Sequence, residues 1–292
     1  MKVLSFGSLN FDYVYNTDHF VLPKETIIAN DYHENFGGKG LNQSIALAKA
    51  GLEVYHAGRV GKDGQSFFDY LNEYNVHTDY LYKDESITTG HAIIEVHEGQ
   101  NRIICYGGGN QKVDHKQIDD VLSHFEKGDL LLIQNEISSV DYLITKAHEA
   151  GMKIAFNCAP ITSAILTYPL EYIDIFVVNE VEAKGITEIA SDNIDDIIKA
   201  LQDRYHNKEV VLTVGEQGSY YLYGDKVIHK DALKVDVVDT TAAGDTFTGY
   251  FLASYMNEHD VDKALALATK ASSITVQGLG AAKSIPYYKD LI

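Results

Sequence analysis

Residues 129–179 read DLLLIQNEISSVDYLITKAHEAGMKIAFNCAPITSAILTYPLEYIDIFVVN. Three short apolar runs stand out: Asp129 to Gln134 (DLLLIQ), Lys153 to Asn157 (KIAFN) and Asp174 to Asn179 (DIFVVN). Each is bounded by polar or turn residues and has the length of a buried strand. Between the first two, Val140, Leu143, Ile144 and Ala147 recur at i, i+3, i+4 and i+7, the stripe of an amphipathic helix. A strand, a helix and a second strand make a βαβ unit, whose crossover sets its two strands parallel. Working outward, Glu209 to Val214 (EVVLTV) supplies a fourth strand. Ile118, Val121, Leu122 and Phe125, and again Ile194, Ile197, Ile198 and Leu201, repeat the helical stripe. These stripes are core-facing, so the central and C-terminal chain is expected to form an α/β domain on a mostly parallel sheet.

Two stretches break the rhythm. Residues 12–36 (DYVYNTDHFVLPKETIIANDYHENF) and 88–108 (TTGHAIIEVHEGQNRIICYGG) are rich in aromatic and β-branched residues and contain no helical stripe. Lacking crossovers, they are expected to form a separate small β-sheet, a lid made of 12–36 and 88–108. The main domain is then built from 1–11, 37–87 and 109–292. Tyr13 to Tyr15, Ile27, Ile28, Ile93, Ile94, Ile103 and Ile104 would give that lid an apolar surface, and pairing two lids in a homodimer would cover it.

Of the 292 residues, 24 are basic and 42 acidic, for a formal charge of −18. A chain this acidic repels nucleic acid and anionic lipid, both of which are bound through clustered Lys and Arg. Neither polymer is expected as a partner. The two cysteines, Cys105 and Cys158, form neither a disulfide framework nor a metal motif. The N-terminal apolar run is too short for a signal peptide, and no run approaches the roughly 18 apolar residues of a membrane span. A soluble, cytoplasmic protein is the expectation.

Three features could carry chemistry. In Val235 to Gly249 (VDVVDTTAAGDTFTG), an alternating strand ends at Asp239, a small-residue turn Ala242-Ala243-Gly244 follows, and Asp245 opens an apolar helix. The free N–H groups and positive end of such a helix bind anions. Asp245 could be an ordinary N-cap, or a carboxylate holding a substrate hydroxyl in line with a phosphoryl group. Asp239 could form the turn or bind a cation. Phe36 to Gln43 (FGGKGLNQ) sets glycines, Lys39 and Asn42 directly before a helix over Ser44 to Ala50, without being a Walker A motif. Finally, Gln134 with Glu136, Asn157, Asn179 to Glu182 and Thr213 to Gly218 all follow the carboxyl ends of strands, where ligands of parallel sheets bind. Each could be a helix cap; together they should converge.

The segments GSLNFD (Gly7 to Asp12), GGKGLNQ (Gly37 to Gln43), NCAP (Asn157 to Pro160), NEVE (Asn179 to Glu182), DTTAAGDTF (Asp239 to Phe247) and GLGAAKSIP (Gly278 to Pro286) resemble, in order and spacing, the ribokinase-like (PfkB) carbohydrate kinases. The similarity spans nearly the whole chain, nearest the branch of the family that phosphorylates ribose. It implies a three-layer α/β/α fold with a β lid, and transfer of the γ-phosphoryl group of ATP to a sugar hydroxyl, first of all the 5-hydroxyl of D-ribose. Nucleosides, pseudouridine, fructose or 2-keto-3-deoxygluconate are the alternatives, and a non-catalytic ligand-binding relative is a further one. A Rossmann dehydrogenase is disfavoured, because Gly7 does not begin a GxGxxG.

Residue by residue, the resemblance implies that Asp245 is the catalytic base and that Ala242, Ala243 and Gly244 form the anion hole. Asn10, Asp12, Gly38, Lys39, Asn42 and Glu136 would bind the sugar, and Asn179, Thr213, Gly215, Glu216 and Gly218 the nucleotide. Magnesium would ride on ATP with Glu182 at most indirect. Potassium would be held by Asp239, Ser284 and the carbonyls of Thr241, Thr275, Gly278 and Gly280. The chain departs from the family pattern at Cys158, where a proline is expected, at Thr248, in place of a polar amide, and at Gly278, in place of a larger basic residue.

Overall fold

The computed structural model describes residues 1–291. Strand β1 (Val3–Phe6) enters the main sheet, and β2 (Asn10–Asn16) and β3 (Asp31–Gly37) leave it for the lid. The chain returns through α1 (Lys39–Lys49), β4 (Val54–Gly61), α2 (Gln65–Glu73) and β5 (Val76–Asp84), then completes the lid with β6 (Gly90–His97) and β7 (Gln100–Tyr106). A regular alternation follows: α3 (His115–Leu122), β8 (Leu130–Gln134), α4 (Val140–Glu149), β9 (Lys153–Asn157), β10 (Ile175–Asn179), α5 (Glu180–Thr187), α6 (Ile194–Tyr205) and β11 (Glu209–Thr213). The hairpin β12 (Ser219–Tyr223) and β13 (Lys226–Lys230) precedes the long helices α7 (Ala243–Glu258) and α8 (Val261–Thr275) and the short α9 (Ala281–Ser284).

The main sheet has the order β13-β12-β11-β10-β9-β8-β1-β4-β5. All its pairings are parallel except β11–β12 and β12–β13. Side chains alternate between its faces. Val3, Leu130, Leu132, Ala155, Val177 and Val211 join one apolar cluster with Ile45 of α1, Phe251 of α7 and Leu265 of α8. Leu4, Leu131, Ile133, Phe156, Val178 and Leu212 join a second with Ile118 of α3, Leu143 of α4 and Leu201 of α6. Being buried on both faces is what turns these strands into continuous apolar runs. The result is the expected α/β/α sandwich. The second sheet, β3-β2-β6-β7, is the small β lid.

Two local expectations are corrected. The segment over Val235 to Asp239 is not a strand; Val237 and Val238 are exposed, and the amides of Val238 and Asp239 both donate to the Val276 carbonyl. Its alternating pattern reflects an extended connector without a ladder partner. Helix α1 begins at Lys39 rather than Ser44, since Gly38, at φ 100°, supplies the sharp entry. A Cβ at Gly38 would come within 2.8 Å of the Ser8 carbonyl, and one at Gly40 within 2.4 Å of the Ser8 amide. Those close approaches press the first turn of α1 onto the β1–β2 connection. Among the described residues, no helix is long and apolar enough to cross a membrane, and both cysteines are free.

Candidate active site

From β1 the chain builds outward in both directions, with β4 and β5 on one side and β8 onward on the other. Such a switch point opens a crevice at the carboxyl ends of the strands. The strand-end residues Ser8, Gln134, Glu136 and Asn157 lie along it. Ser8 Oγ donates to Glu136 Oε2, and the same oxygen accepts from the Lys39 amide at 3.1 Å. The Lys39 amide is thus satisfied at the helix start, where the chain itself offers it no carbonyl. Asn10 Oδ1 accepts from Asn110 Nδ2 at 2.8 Å, and Asn110 also makes hydrogen bonds of 3.1 Å to the Leu9 amide and carbonyl. Asp12 reaches over Gly37, where a Cβ would fall 2.0 Å from Oδ2. Burial, reinforced by Glu136, raises the Asp12 pKa to about 7. Burial likewise raises Glu136, against the pull of Lys39.

Asp245 stands in the first turn of α7, two residues inside its start, and so is not the N-cap. That position belongs to Ala242, in the left-handed region at φ 62°. The carboxylate is buried and accepts from Asn42 Nδ2 at 3.0 Å and Gln43 Nε2 at 2.9 Å, both on α1. Lys39 sits among Asp245, Glu136 and Glu182, and Asp245 acts on it most strongly, raising its pKa. Ala243 N donates to the Thr240 carbonyl at 3.2 Å, whereas the amides of Gly244 and Asp245 have no acceptor outside their helix among the described residues. A Cβ at Gly244 would meet nothing within 4 Å. The donor pair is therefore Gly244 and Asp245, one residue further on than the turn Ala242 to Gly244 read from the sequence.

A cavity of about 230 Å³ joins these parts. It is lined by Lys39, Asn157, Asn179, Glu182, Thr213, Ala242, Ala243, Gly244, Asp245 and Thr248, among others. Asn179 and Glu182 form a reciprocal cap on α5: Glu182 N donates to Asn179 Oδ1 at 2.9 Å, and Glu182 accepts from Asn179 N and Nδ2, each at 3.0 Å. Burial raises the Glu182 pKa. Gly215, Glu216 and Gly218 belong to the short turn joining β11 to β12 and lie outside the cavity wall. Of the departures from the family pattern, Thr248 turns its hydroxyl back to the Gly244 carbonyl at 2.8 Å, and Cys158 is fully buried.

The second set of oxygens lies beyond α7. Asp239 Oδ1 accepts from Thr241 N at 2.9 Å and Thr241 Oγ1 at 2.6 Å, and Oδ2 from Gly280 N at 3.3 Å. Thr275 directs its hydroxyl to Thr246 at 3.0 Å, and its carbonyl accepts from Gly278 N at 3.1 Å. Ser284 Oγ donates to the Ala281 carbonyl at 2.9 Å. The donors brought together at Asp239, Thr241 and Gly280 are hard oxygens, which suits an alkali cation. No cluster of three or more His, Cys, Asp or Glu suited to a metal occurs among the described residues.

Reading the sequence passed over Ser8, Asn110 and the role of Gln43. Gln43 was visible only as the last letter of GGKGLNQ; that it meets Gln134, Asn157 and Asp245 depends on three elements distant in the chain.

Fold and site together define a phosphoryl-transfer enzyme of the sugar-kinase class, with a buried carboxylate beside open helix-terminal amides at a sheet switch point. The chain belongs to the pfkB family of carbohydrate kinases, whose pattern matches residues 1–287. It is 34% identical over 303 residues to a ribokinase from Staphylococcus aureus, covering 99% of this chain and 98% of that one. Among solved structures, a ribokinase from Cryptococcus neoformans in complex with ADP superposes with a TM-score of 0.88 at 29% identity, covering 99% of this chain and 98% of that one. An Arabidopsis thaliana ribokinase complexed with ribose and ATP gives 0.87 at 29%, covering 99% and 96%.

Proposed function

We propose that this protein transfers the γ-phosphoryl group of ATP to the 5-hydroxyl of D-ribose. The observation that carries the reading is Asp245, a buried carboxylate tied to α1 by Asn42 and Gln43 and bordering the cavity that Gly244 opens. The ribokinase relatives, matched end to end, supply the sugar. Asp245 accepts the proton of the attacking hydroxyl. The amides of Gly244 and Asp245 face the charge on the transferring group, and Lys39 adds positive charge nearby. Phosphoryl transfer passes through a loose transition state, so alignment and charge stabilisation carry most of the catalysis. Asn42 Oδ1, buried without a partner among the described residues, is an available acceptor for a sugar hydroxyl, as are Asp12 and Asn10. Gly38 and Glu136 hold the α1 entry against the sugar site.

Asn179 and Thr213 lie where the nucleotide would pass, and Gly215, Glu216 and Gly218 would border its outer part. Magnesium, when bound with ATP, neutralises phosphate charge. Because the Glu182 oxygens already serve the α5 cap, that residue would reach the ion only indirectly. Asp239, Thr241, Thr275, Gly278, Gly280 and Ser284 are proposed to hold a potassium ion. The protein is further proposed to be cytoplasmic and to dimerise through its lid.

An ADP-release assay across ribose, fructose, 2-keto-3-deoxygluconate and nucleosides tests the reading. Turnover is expected to be highest with ribose; absence of turnover on every acceptor, with magnesium and potassium present, removes the enzymatic claim. Asp245→Asn is expected to lower kcat by about a thousandfold, within the range that general-base catalysis supplies, while calorimetry finds sugar binding retained. Full activity in that variant would show that the base is elsewhere.

A further inference from the structure

We propose that Gln43 is a positioning residue that orients the Asp245 carboxylate for proton transfer, its own orientation dictated by a buried relay of amides. The relay starts at the Val177 carbonyl, which can only accept. Asn157 Nδ2 donates to it at 3.0 Å, so Asn157 Oδ1 must face the other way, towards Gln43 Nε2 at 2.9 Å. That amide nitrogen is shared with Asp245 Oδ1 at 2.9 Å. Gln43 Oε1 is occupied in turn by Gln134 Nε2 at 2.7 Å. Flipping Gln43 would set its oxygen against both a carboxylate and an amide oxygen, while its nitrogen met the Gln134 donor. All four side chains are buried, where such mismatches are costly. Gln43 is therefore a fixed donor to one oxygen of Asp245, while Asn42 takes the other.

A hydrogen bond donated to a carboxylate favours its charged form, and holding one oxygen sets the plane of the other. The charged groups around Asp245 are Lys39 from α1, Glu136 from the turn after β8 and Glu182 from α5. None of them is supplied by Gln43.

The inference rests on Asp245 being the base, and its test separates the two claims. In the full-length enzyme, Gln43→Met keeps the volume and removes the donor. At saturating ribose and MgATP, kcat is expected to fall about tenfold to a hundredfold, and the acidic limb of its pH profile to move to higher pH. Ribose affinity measured by calorimetry without nucleotide is expected to stay within about threefold. Gln134→Leu, which frees Gln43 to rotate, should move both kinetic readouts the same way by less, and it decides the matter if Gln43→Met does not fold. A folded Gln43→Met enzyme with an unmoved pH limb overturns the inference, as does a loss of ribose affinity parallel to kcat. An active Asp245→Asn overturns the assignment of the base itself. An inactive Asp245→Asn beside a wild-type-like Gln43→Met overturns only the relay.

Discussion

At the scale of single residues, the carboxylates beside the crevice are held in unlike environments. Asp245 accepts two amide donors, whereas Asp12 is buried beside another acid, which lifts its pKa to about 7 from the ordinary 3.8. The unfolded chain loses this proton near pH 4 and the folded chain near pH 7, so Asp12 makes the protein progressively less stable as pH rises between those values. Thermal melts of Asp12→Asn against wild type without sugar should coincide near pH 5 and diverge towards pH 8, with the variant the more stable. A difference independent of pH would show that Asp12 is not protonated in the folded state at pH 5. If the charged form is the acceptor for a sugar hydroxyl, kcat/KM for ribose should rise through the same interval in wild type and lose that rise in the variant.

At the scale of elements, α1 joins the two ends of the site. Its first turn carries Lys39, Asn42 and Gln43; its last carries Lys49, whose Nζ donates to the Ala282 and Ile285 carbonyls at 3.0 and 2.6 Å between the rings of Tyr74 and Tyr287. Those carbonyls belong to the segment that contains Ser284 of the proposed cation site. Lys49→Met leaves two buried acceptors unpaired, at a cost of about 2 kcal/mol, and loosens that segment. A lowered melting temperature and a higher potassium concentration for half-activation are the expected results. Unchanged potassium dependence in a destabilised variant would confine Lys49 to a structural role.

At the scale of the whole molecule, the lid bears Ile93 and Ile104 opposite one another on neighbouring strands, with Ile104 70% exposed and Ile103 52%. An apolar sheet face so open to water favours a second copy of the chain as its cover. Ile104→Glu should turn a dimer into a monomer in analytical ultracentrifugation; wild type that sediments as a monomer at micromolar concentration contradicts lid pairing. The charge of −18 raises a related question, since ATP is itself a polyanion. The answer is local: helix-terminal amides and Lys39 make the crevice receptive within an acidic shell, a matter of field at short range rather than of net charge.

How much of this was legible in one dimension follows from the range of the forces involved. Strands β8, β9, β10 and β11 and the stripes of α4 and α6 were readable because burial imposes a period on neighbouring residues, and the AAGD and GGKG segments were readable because turns and helix starts are local. Val235 to Asp239 misled for the same reason: alternation records a preference for extended backbone, while a strand also needs a partner, and the chain provides none there. Asp245 could be read as cap or base because either role suits a carboxylate near a helix start. Only packing α1 against α7, two elements some 200 residues apart in the chain, took it out of the cap and gave it two donors. By itself the sequence determined the α/β class, the lid segments and the residues from which a phosphoryl-transfer site could be made. The tertiary structure alone decided which of them meet, which amides stay open and which way each buried amide points, because hydrogen-bond direction is settled by partners that the chain brings together only when folded.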